Sequence, residues 1–219
     1  GGDGGMATPA IITVLAASPQ LQSDQGGANT VAITAQVKDS SNAVLPGVTV
    51  SFGASSGSLA VTQSVTDDLG IAYALLSNGT NAQNRAITVT ATAGEASGNV
   101  VVNVVGTTIT ITGPEAIALS DSGAYVAAAK DSKGAGIQGA LLTLTSANGN
   151  TIAAPTTTTD VSGNVAFTVT ATAAGNDTLT VSGLGLTATK TLSVSGDAFA
   201  FSAPAAGAEV SLGVVQPVT

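Results

Sequence analysis

The sequence contains two copies of one segment, and this internal repeat limits the chain to a fold built from two similar units. Asp131 follows Asp39 by 92 residues (131 − 39). A Thr-Asp pair at residues 66–67 returns at residues 159–160, an interval of 93 (159 − 66). Repeats of this length are near the size of a small domain. The chain of 219 residues is therefore predicted to hold two domains rather than one.

Within each copy, apolar residues alternate with polar ones in short runs, as in strands that bury one face. Residues 31–37 show the alternation in the first copy, and residues 125–129 show it in the second. Gly, Pro, Asn and Asp separate the runs and indicate turns. About seven such strands in each copy predict an all-β chain of two tandem sandwiches. In the run 71–76, the repeat predicts that the Ala72 face lies in the core and that Tyr73 is less buried.

The repeat also predicts how the chain is divided. The expected segments are a flexible Gly-rich leader at 1–8, a first domain at 9–105, a second domain at 106–196 and an incomplete third repeat at 197–219. The third repeat is proposed because Phe199 and Phe201 follow Ile109 and Ile111 by 90 residues (199 − 109). Either this segment starts a third domain, which is the favoured interpretation, or it adds strands to the sheet edge of a neighbouring molecule.

The junction between the two copies, residues 104–109, has no Pro- or Ser-rich spacer. A connection this short restricts the relative movement of two domains, although a contact between them is also needed for a fixed arrangement. The sequence therefore predicts two sandwiches that fold independently and stand in a nearly fixed line.

Composition excludes several classes of function. Thirteen acidic and five basic residues give a net charge of −8, so a nucleic acid is not an expected partner. The sequence has no histidine, cysteine or tryptophan, which removes Ser-His-Asp and Cys-His catalysis and the commonest zinc ligands. No run of 18 apolar residues predicts a membrane span. We therefore expect no enzyme activity, no catalytic or metal-binding residues and no cofactor.

A few residues allow a second interpretation. Asp67, Asp68 and Asp160 could ligate calcium, but they lack the spacing of a calcium loop, and we expect Asp67 and Asp160 to bond to their own turns. Lys190 falls on the apolar face of its strand, either as a strand-end lysine that reaches water or as part of a Lys–Asn isopeptide bond. The glycosylation sequon at Asn78 is interpreted as accidental, as is the second sequon at residues 176–178.

Three motifs in the first copy resemble the bacterial immunoglobulin-like domains of intimin and invasin. They are Val-Lys-Asp at residues 37–39, Pro-Gly-Val-x-Val-x-Phe at 46–52 and Thr-Asp-x-x-Gly-x-Ala at 66–72. The second copy keeps several of these residues, but Gln138 replaces the proline and Leu144 the phenylalanine. The resemblance implies immunoglobulin-like sandwiches that act as stalk or passenger modules of surface adhesins.

From this resemblance we expect a non-catalytic structural module of a bacterial cell-surface adhesin or surface lipoprotein, outside the cell and associated with the outer membrane. The alternative is a binding module that recognises a glycan or protein through its end loops, residues 53–57 and 146–150. The expected partner is a protein or glycan on another cell or surface. Membrane contact is expected only through a lipid tether on the leader. A monomer is expected, with self-assembly by strand addition as the alternative.

Overall fold

The computed structural model describes residues 7–196, and this part of the chain is built from seventeen β-strands without a helix. The strands are β1 (Ile11–Ala16), β2 (Gln20–Gln22), β3 (Thr30–Lys38), β4 (Ser51–Ala54), β5 (Ser58–Gln63), β6 (Ile71–Ser77), β7 (Arg85–Ala93), β8 (Ala96–Val105), β9 (Thr108–Thr112), β10 (Ala116–Ala118), β11 (Ser122–Lys130), β12 (Leu141–Ser146), β13 (Thr151–Ala153), β14 (Thr156–Thr158), β15 (Asn164–Thr170), β16 (Gly175–Gly183) and β17 (Leu186–Ser195). The all-β class predicted from the sequence is confirmed.

The strands form four sheets that pair into two sandwiches. In the first sandwich (β1–β8) the sheet orders are β1-β3-β6-β5 and β2-β8-β7-β4. In the second sandwich (β9–β17) they are β13-β15-β11-β9 and β10-β17-β16-β12-β14. If β1 and β2 are counted as one first strand, β4, β7 and β8 become the third, sixth and seventh strands of the first sandwich. They form one sheet and face the sheet of the first, second, fourth and fifth strands, as in immunoglobulin constant domains. The division at residues 105 and 106 stays a prediction, and residues 197–219, with Phe199 and Phe201, lie outside the described residues.

Each sandwich closes around its own apolar core, and the alternation in the sequence identified most of the core residues. In the first core, Ile33, Val37 and Leu76 are buried between the sheets. Ala72 is fully buried while Tyr73 is half-buried, so the predicted orientation of that strand is confirmed. The core of the second sandwich is formed around larger side chains, and its fully buried residues include Tyr125, Phe167, Leu142 and Leu179.

Tyr125 shows how the second core accommodates a polar atom. The ring is fully buried, and its hydroxyl donates a hydrogen bond of 3.0 Å to the carbonyl oxygen of Pro114. Burial of the phenol raises the pKa of Tyr125, and the negative charge of Asp177 raises it further. Gly113 lies directly against the ring, where a Cβ atom would overlap with it. The position therefore accepts only glycine while the tyrosine occupies this site.

The first strand of each sandwich changes sheets, which the sequence pattern did not show. β1 pairs antiparallel with β3, and after Pro19 the backbone enters β2, which pairs parallel with β8. β9 and β10 repeat this exchange around Pro114. Three-residue strands such as β2 and β10 are too short to show a period-2 alternation. The sequence analysis therefore did not predict β2 and β10.

Two neighbouring leucines allow the core to be tested. Leu142 is fully buried in the second sandwich, whereas Leu141 points outward with 59% of its surface exposed. Leu142→Ala should lower the free energy of unfolding of this sandwich by about 2–5 kcal/mol, because it removes buried contacts and leaves a cavity. Leu141→Ala should change it by less than about 0.5 kcal/mol. Urea unfolding followed by circular dichroism measures both, and a larger loss for Leu141→Ala than for Leu142→Ala would show that β12 faces the other way.

Candidate functional site

The residues between the two sandwiches form a hydrogen-bonded polar region that brings distant parts of the described chain together. β8 ends at Val105 and β9 begins at Thr108, so only Gly106 and Thr107 connect the sandwiches. On one side of this connection lies the loop after β2, residues 23–29. On the other lies the turn after β11, residues 131–135. We call the contact between this loop and this turn the junction.

Asp131 bonds to both sides of the junction. Its Oδ1 accepts hydrogen bonds of 2.9 Å from the backbone N–H groups of Lys133 and Ala135, which closes the turn after β11. Its Oδ2 accepts a bond of 2.8 Å from the backbone N–H of Gln25 in the first sandwich. Asp131 is buried. Because a buried carboxylate needs all its hydrogen-bond partners, its local turn and its long-range contact stabilise each other.

The next two residues of the turn extend the contact. Ser132 donates its backbone N–H to Ser23 Oγ at 3.0 Å, and its own hydroxyl donates to the Ser23 carbonyl oxygen at 2.6 Å. Lys133 Nζ lies 2.7 Å from Asp24 Oδ2. Asp24 is buried while the lysine side chain is half-exposed, so the ammonium covers the carboxylate from the solvent side. Three consecutive residues on each side thus bond across the junction.

The loop that receives this turn is itself held in place by Asn78. The side-chain carbonyl of Asn78 accepts the Asp24 N–H at 3.2 Å, and its amide donates to the Asp24 carbonyl oxygen at 2.9 Å. The same amide also donates to the carbonyl oxygens of Gly79 and Asn81. Asn78 is almost fully buried. The loop 23–29 is therefore held by contacts within the first sandwich, independently of its contact with the second.

The connecting residues form a second set of contacts. Asn84 exchanges two hydrogen bonds of 2.9 Å with the backbone of Thr107, whose hydroxyl donates to the Ala82 carbonyl oxygen. The methyl group of Ala82 is buried in the core of the second sandwich, although the residue precedes β7 of the first. Gly106 has φ +97°, and a Cβ atom there would lie 2.6 Å from Ser132 Cβ. Glycine allows the turn and the connection to approach each other.

Arg85 shapes the loop that carries Ala82. Its guanidinium donates to the carbonyl oxygens of Asn78, Asn81 and Gln83, and its Nε donates to Ser56 Oγ. Burial lowers the pKa of Arg85, which stays charged because an arginine titrates far above neutral pH. Ser56 belongs to one of the two loops predicted as ligand-binding loops. In the structure, Ser56 connects this loop to Arg85, and a ligand-binding role of the loop stays a prediction.

The other predicted loop, residues 146–150, is organised by Asp177. Asp177 Oδ2 accepts hydrogen bonds from Ser146 Oγ at 2.6 Å and Asn150 Nδ2 at 2.7 Å, and Oδ1 accepts the Asn148 N–H at 2.9 Å. Burial by itself would raise the pKa of Asp177, but these donors outweigh it and the pKa is lowered. The Asp177 carboxylate therefore accepts hydrogen bonds from both the backbone and the side chains of the loop 146–150.

The aspartates considered as calcium ligands bond to their own turns, as the favoured interpretation predicted. Asp67 Oδ1 accepts the N–H groups of Leu69 and Ile71, and Asp160 Oδ1 accepts those of Ser162 and Asn164. Within residues 7–196 no three acidic, histidine or cysteine side chains come together as a metal site. The absence of a site for catalysis, cofactor or metal stays a prediction.

The lysine side chain on an apolar strand face reaches toward the surface. Lys190 is largely buried, and its Nζ lies 3.9 Å from the carboxylate of Glu115, which is almost fully exposed. This geometry agrees with a strand-end lysine whose apolar stem is covered while its head reaches water. No helix in the described part of the chain is both long and apolar enough to cross a membrane.

An open groove of about 470 Å³ lies beside the junction. Its walls include Gln20, Gln22 and Asn29 from the first sandwich and Ser132 and Lys133 from the second. Lys133 is already paired with Asp24. The groove thus offers amide and hydroxyl groups without a free charge, which suits contact with water better than recognition of an ionic ligand.

Sequence reasoning predicted a short connection but missed the residues that make the contact. The repeat contains a signal for them. The turn 131–133 corresponds to residues 39–41, and Lys133 stands where the first copy has Ser41 (133 − 41 = 92). A single new charge in an otherwise repeated turn indicates a local partner of opposite sign. The partner, Asp24, lies 109 residues away and could not be identified from spacing alone.

Comparisons with known proteins agree with this architecture. Residues 20–105 match the family model described as bacterial Ig-like domain (group 1). Among solved structures, the Yersinia pseudotuberculosis adhesin InvE is similar at 20% identity with a TM-score of 0.58, over 87% of this chain and 61% of that one. The chain therefore spans less than two thirds of the InvE structure. No curated protein sequence matches the chain.

Two further structures are similar over most of the chain at lower scores. Invasin, described as a bacterial integrin-binding protein, has 21% identity and a TM-score of 0.42 over 85% of this chain and 39% of that one. An intimin fragment bound to the translocated intimin receptor has 21% identity and a TM-score of 0.37, over 85% and 64%. The match of residues 20–105 to the model of the bacterial Ig-like domain (group 1) confirms the resemblance noted in the sequence of the first copy.

The repeat supplies a matched pair of variants for the junction. Asp39 and Asp131 each accept two backbone N–H groups of their own turn, but in the described structure only Asp131 also bonds across the junction. Asp131→Ala should therefore broaden the distribution of distances between spin labels placed on the two sandwiches. Asp39→Ala should leave the distribution narrow. Double electron–electron resonance on both variants measures this, and equal broadening would mean that Asp131 acts only within its own turn.

The Lys133–Asp24 pair should make stability depend on pH. The hydrogen bond from Lys133 holds the pKa of Asp24 below its ordinary value, helped by the Gly26 N–H and opposed by burial. Because the folded pKa is the lower one, the stabilisation is present above about pH 4 and is lost as the pH falls through the folded value. Lys133→Met should therefore be less stable than the native protein at pH 7 and closely similar near pH 2. A stability difference in urea unfolding that is the same at both pH values would contradict this.

Proposed function

We propose that the chain is a non-catalytic structural module of a bacterial cell-surface adhesin or surface lipoprotein, which holds two sandwiches in one orientation. The observation that carries the proposal is the junction, where consecutive residues 131–133 bond to consecutive residues 23–25. A flexible linker would need none of these contacts. A module that positions something at a distance from a surface needs a joint that resists bending.

Placement at a bacterial surface is supported by the family of the first domain and by the fold shared with InvE, which is an adhesin. The composition supports it as well, because only 8% of residues are charged and the exposed strand faces are rich in threonine and serine. Attachment through a lipid on the Gly-rich leader is the form of anchoring that the sequence suggests. The partner would then be a protein or glycan on another cell or surface.

The non-catalytic role is supported by how the acidic side chains are used. Asp39, Asp67, Asp131 and Asp160 each bind the backbone of their own turn through Oδ1. Asp177 binds the loop 146–150. Carboxylates engaged in this way are acceptors in the folded structure and are not placed in a cleft as acid–base pairs. The whole sequence also lacks histidine and cysteine.

Two glycine variants test whether the joint is what fixes the orientation. Gly106→Ala would bring a Cβ atom into the turn of the second sandwich, whereas Gly134→Ala has a similar positive φ but open space around it. Both variants carry the backbone strain of a side chain in this region. Small-angle scattering should show a wider range of shapes for Gly106→Ala and the native profile for Gly134→Ala. A native protein that already scatters as a broad ensemble would contradict the proposal.

Binding by the chain alone distinguishes a stalk from a receptor-binding module. A stalk presents another domain, so the purified protein should not bind to host cells or to a glycan array. Replacement of residues 53–57 or 146–150 by Gly-Ser sequences should then leave the result unchanged. Saturable binding that disappears when residues 146–150 are replaced would favour the end-loop alternative, and the module would then be a receptor-binding one.

A further inference from the structure

Two Asn-Gly dipeptides lie in very different surroundings within the described residues. Asn78-Gly79 lies beside the junction, and Asn148-Gly149 lies in the loop between β12 and β13. An asparagine before glycine is the sequence in which the next backbone nitrogen most easily reaches the side-chain amide, because glycine has no Cβ to hinder the approach. Whether the reaction occurs in a folded protein depends on how the amide and the nitrogen are held.

Asn148 is exposed, and its side chain is weakly held. Its Nδ2 donates to the carbonyl oxygens of Ala173 and Ala174 at 3.4 and 3.2 Å, distances at which hydrogen bonds are weak. The Gly149 N–H makes no hydrogen bond to any residue that the structure describes. A Cβ atom at Gly149 would meet nothing within 4 Å, so the space beside this residue is open. Both reacting groups are therefore accessible.

Asn78 has the same neighbour but the opposite environment. The side chain is only 1% exposed, and its amide donates to three carbonyl oxygens while its Oδ1 accepts the Asp24 N–H. The Gly79 N–H donates a long hydrogen bond of 3.3 Å to Ser77 Oγ, so the protection of this site comes from the buried Asn78 side chain. A reaction at this site would require the loop to open and several buried polar groups to lose their partners.

We propose that Asn148 is a site of spontaneous modification, at which the side chain is converted to aspartate and isoaspartate in the folded protein, while Asn78 is protected. The Gly149 nitrogen forms a bond to Cγ of Asn148 and loses its proton, and Nδ2 leaves as ammonia. This closes a five-membered succinimide. Water then adds to one of the two ring carbonyls. Cleavage between the Gly149 nitrogen and Cγ of residue 148 gives aspartate. Cleavage between the Gly149 nitrogen and the backbone carbonyl carbon of residue 148 gives isoaspartate.

The modification changes the charge of the end loop. The Asn148 N–H is bonded to Asp177 Oδ1, so the new carboxylate forms close to an existing one. It also replaces an amide donor by an acceptor beside two carbonyl oxygens, at Ala173 and Ala174. Like charges at short distance in a partly buried site repel each other. The modified loop is therefore expected to open away from the β15–β16 turn, and this proposal does not depend on the stalk function.

The experiment follows both asparagines in the same sample. The full-length protein is incubated at pH 8 in native buffer and, separately, in urea at a concentration that unfolds it. Peptide mapping by mass spectrometry measures, over time, the fraction of each Asn-Gly site that has been converted to aspartate or isoaspartate. In urea both sites should be modified at similar rates, because their local sequences are alike. In native buffer Asn148 should be modified more than about tenfold faster than Asn78, because Asn78 must first be exposed by local opening.

Either of two outcomes would overturn the proposal. Asn148 could stay intact in the folded protein over the time in which the unfolded protein loses its amide, which would show that the loop holds it as firmly as the core does. Alternatively, both sites could be modified equally fast in the folded protein, which would show that burial of Asn78 gives no protection. Modification of Asn148 but not of Asn78 in the folded protein would support the proposal.

Discussion

The structure between the two sandwiches depends on one carboxylate, that of Asp131. One oxygen closes the turn after β11 and the other binds the Gln25 N–H in the first sandwich. A buried carboxylate is stable only when its hydrogen bonds are satisfied, so neither the turn nor the contact is easily lost separately. Ser132 and Lys133 follow it in sequence and are thereby aimed at Ser23 and Asp24. The hydrogen bonds of Asp131 therefore also position Ser132 and Lys133 for their contacts with the first sandwich.

The repeat explains how such a joint can arise from an ordinary turn. Asp39 closes the corresponding turn of the first sandwich with the same two backbone bonds. The second copy keeps this turn, adds one lysine and places it against a loop of the first sandwich. Arg85 and Asp177 are a second example, because they occupy corresponding positions in the two copies (177 − 85 = 92). Each side chain holds a loop of its own sandwich, Arg85 as a hydrogen-bond donor and Asp177 as an acceptor. Shared backbone geometry is retained while the polar contacts differ.

Much of the fold could be predicted from the sequence because its cause is local. Alternation at residues 31–37 and 125–129 reports which faces are buried, and the structure confirms it. The turn role of Asp67 was predicted for the same reason, since its partners are two and four residues away. The junction could not be predicted, because Asp24 and Lys133 are far apart in sequence and their contact depends on how two finished sandwiches meet. The short strands β2 and β10 were missed because three residues carry no periodic signal.

A fixed orientation of the two sandwiches is the central consequence of these contacts. Residual dipolar couplings of the backbone N–H groups measure it directly, because each sandwich reports its own alignment in a weakly ordered medium. With the junction formed, couplings from β1–β8 and from β9–β17 should fit one alignment tensor with the orientation seen in the structure. Two tensors of clearly different magnitude would show that the sandwiches move independently and would contradict a rigid joint.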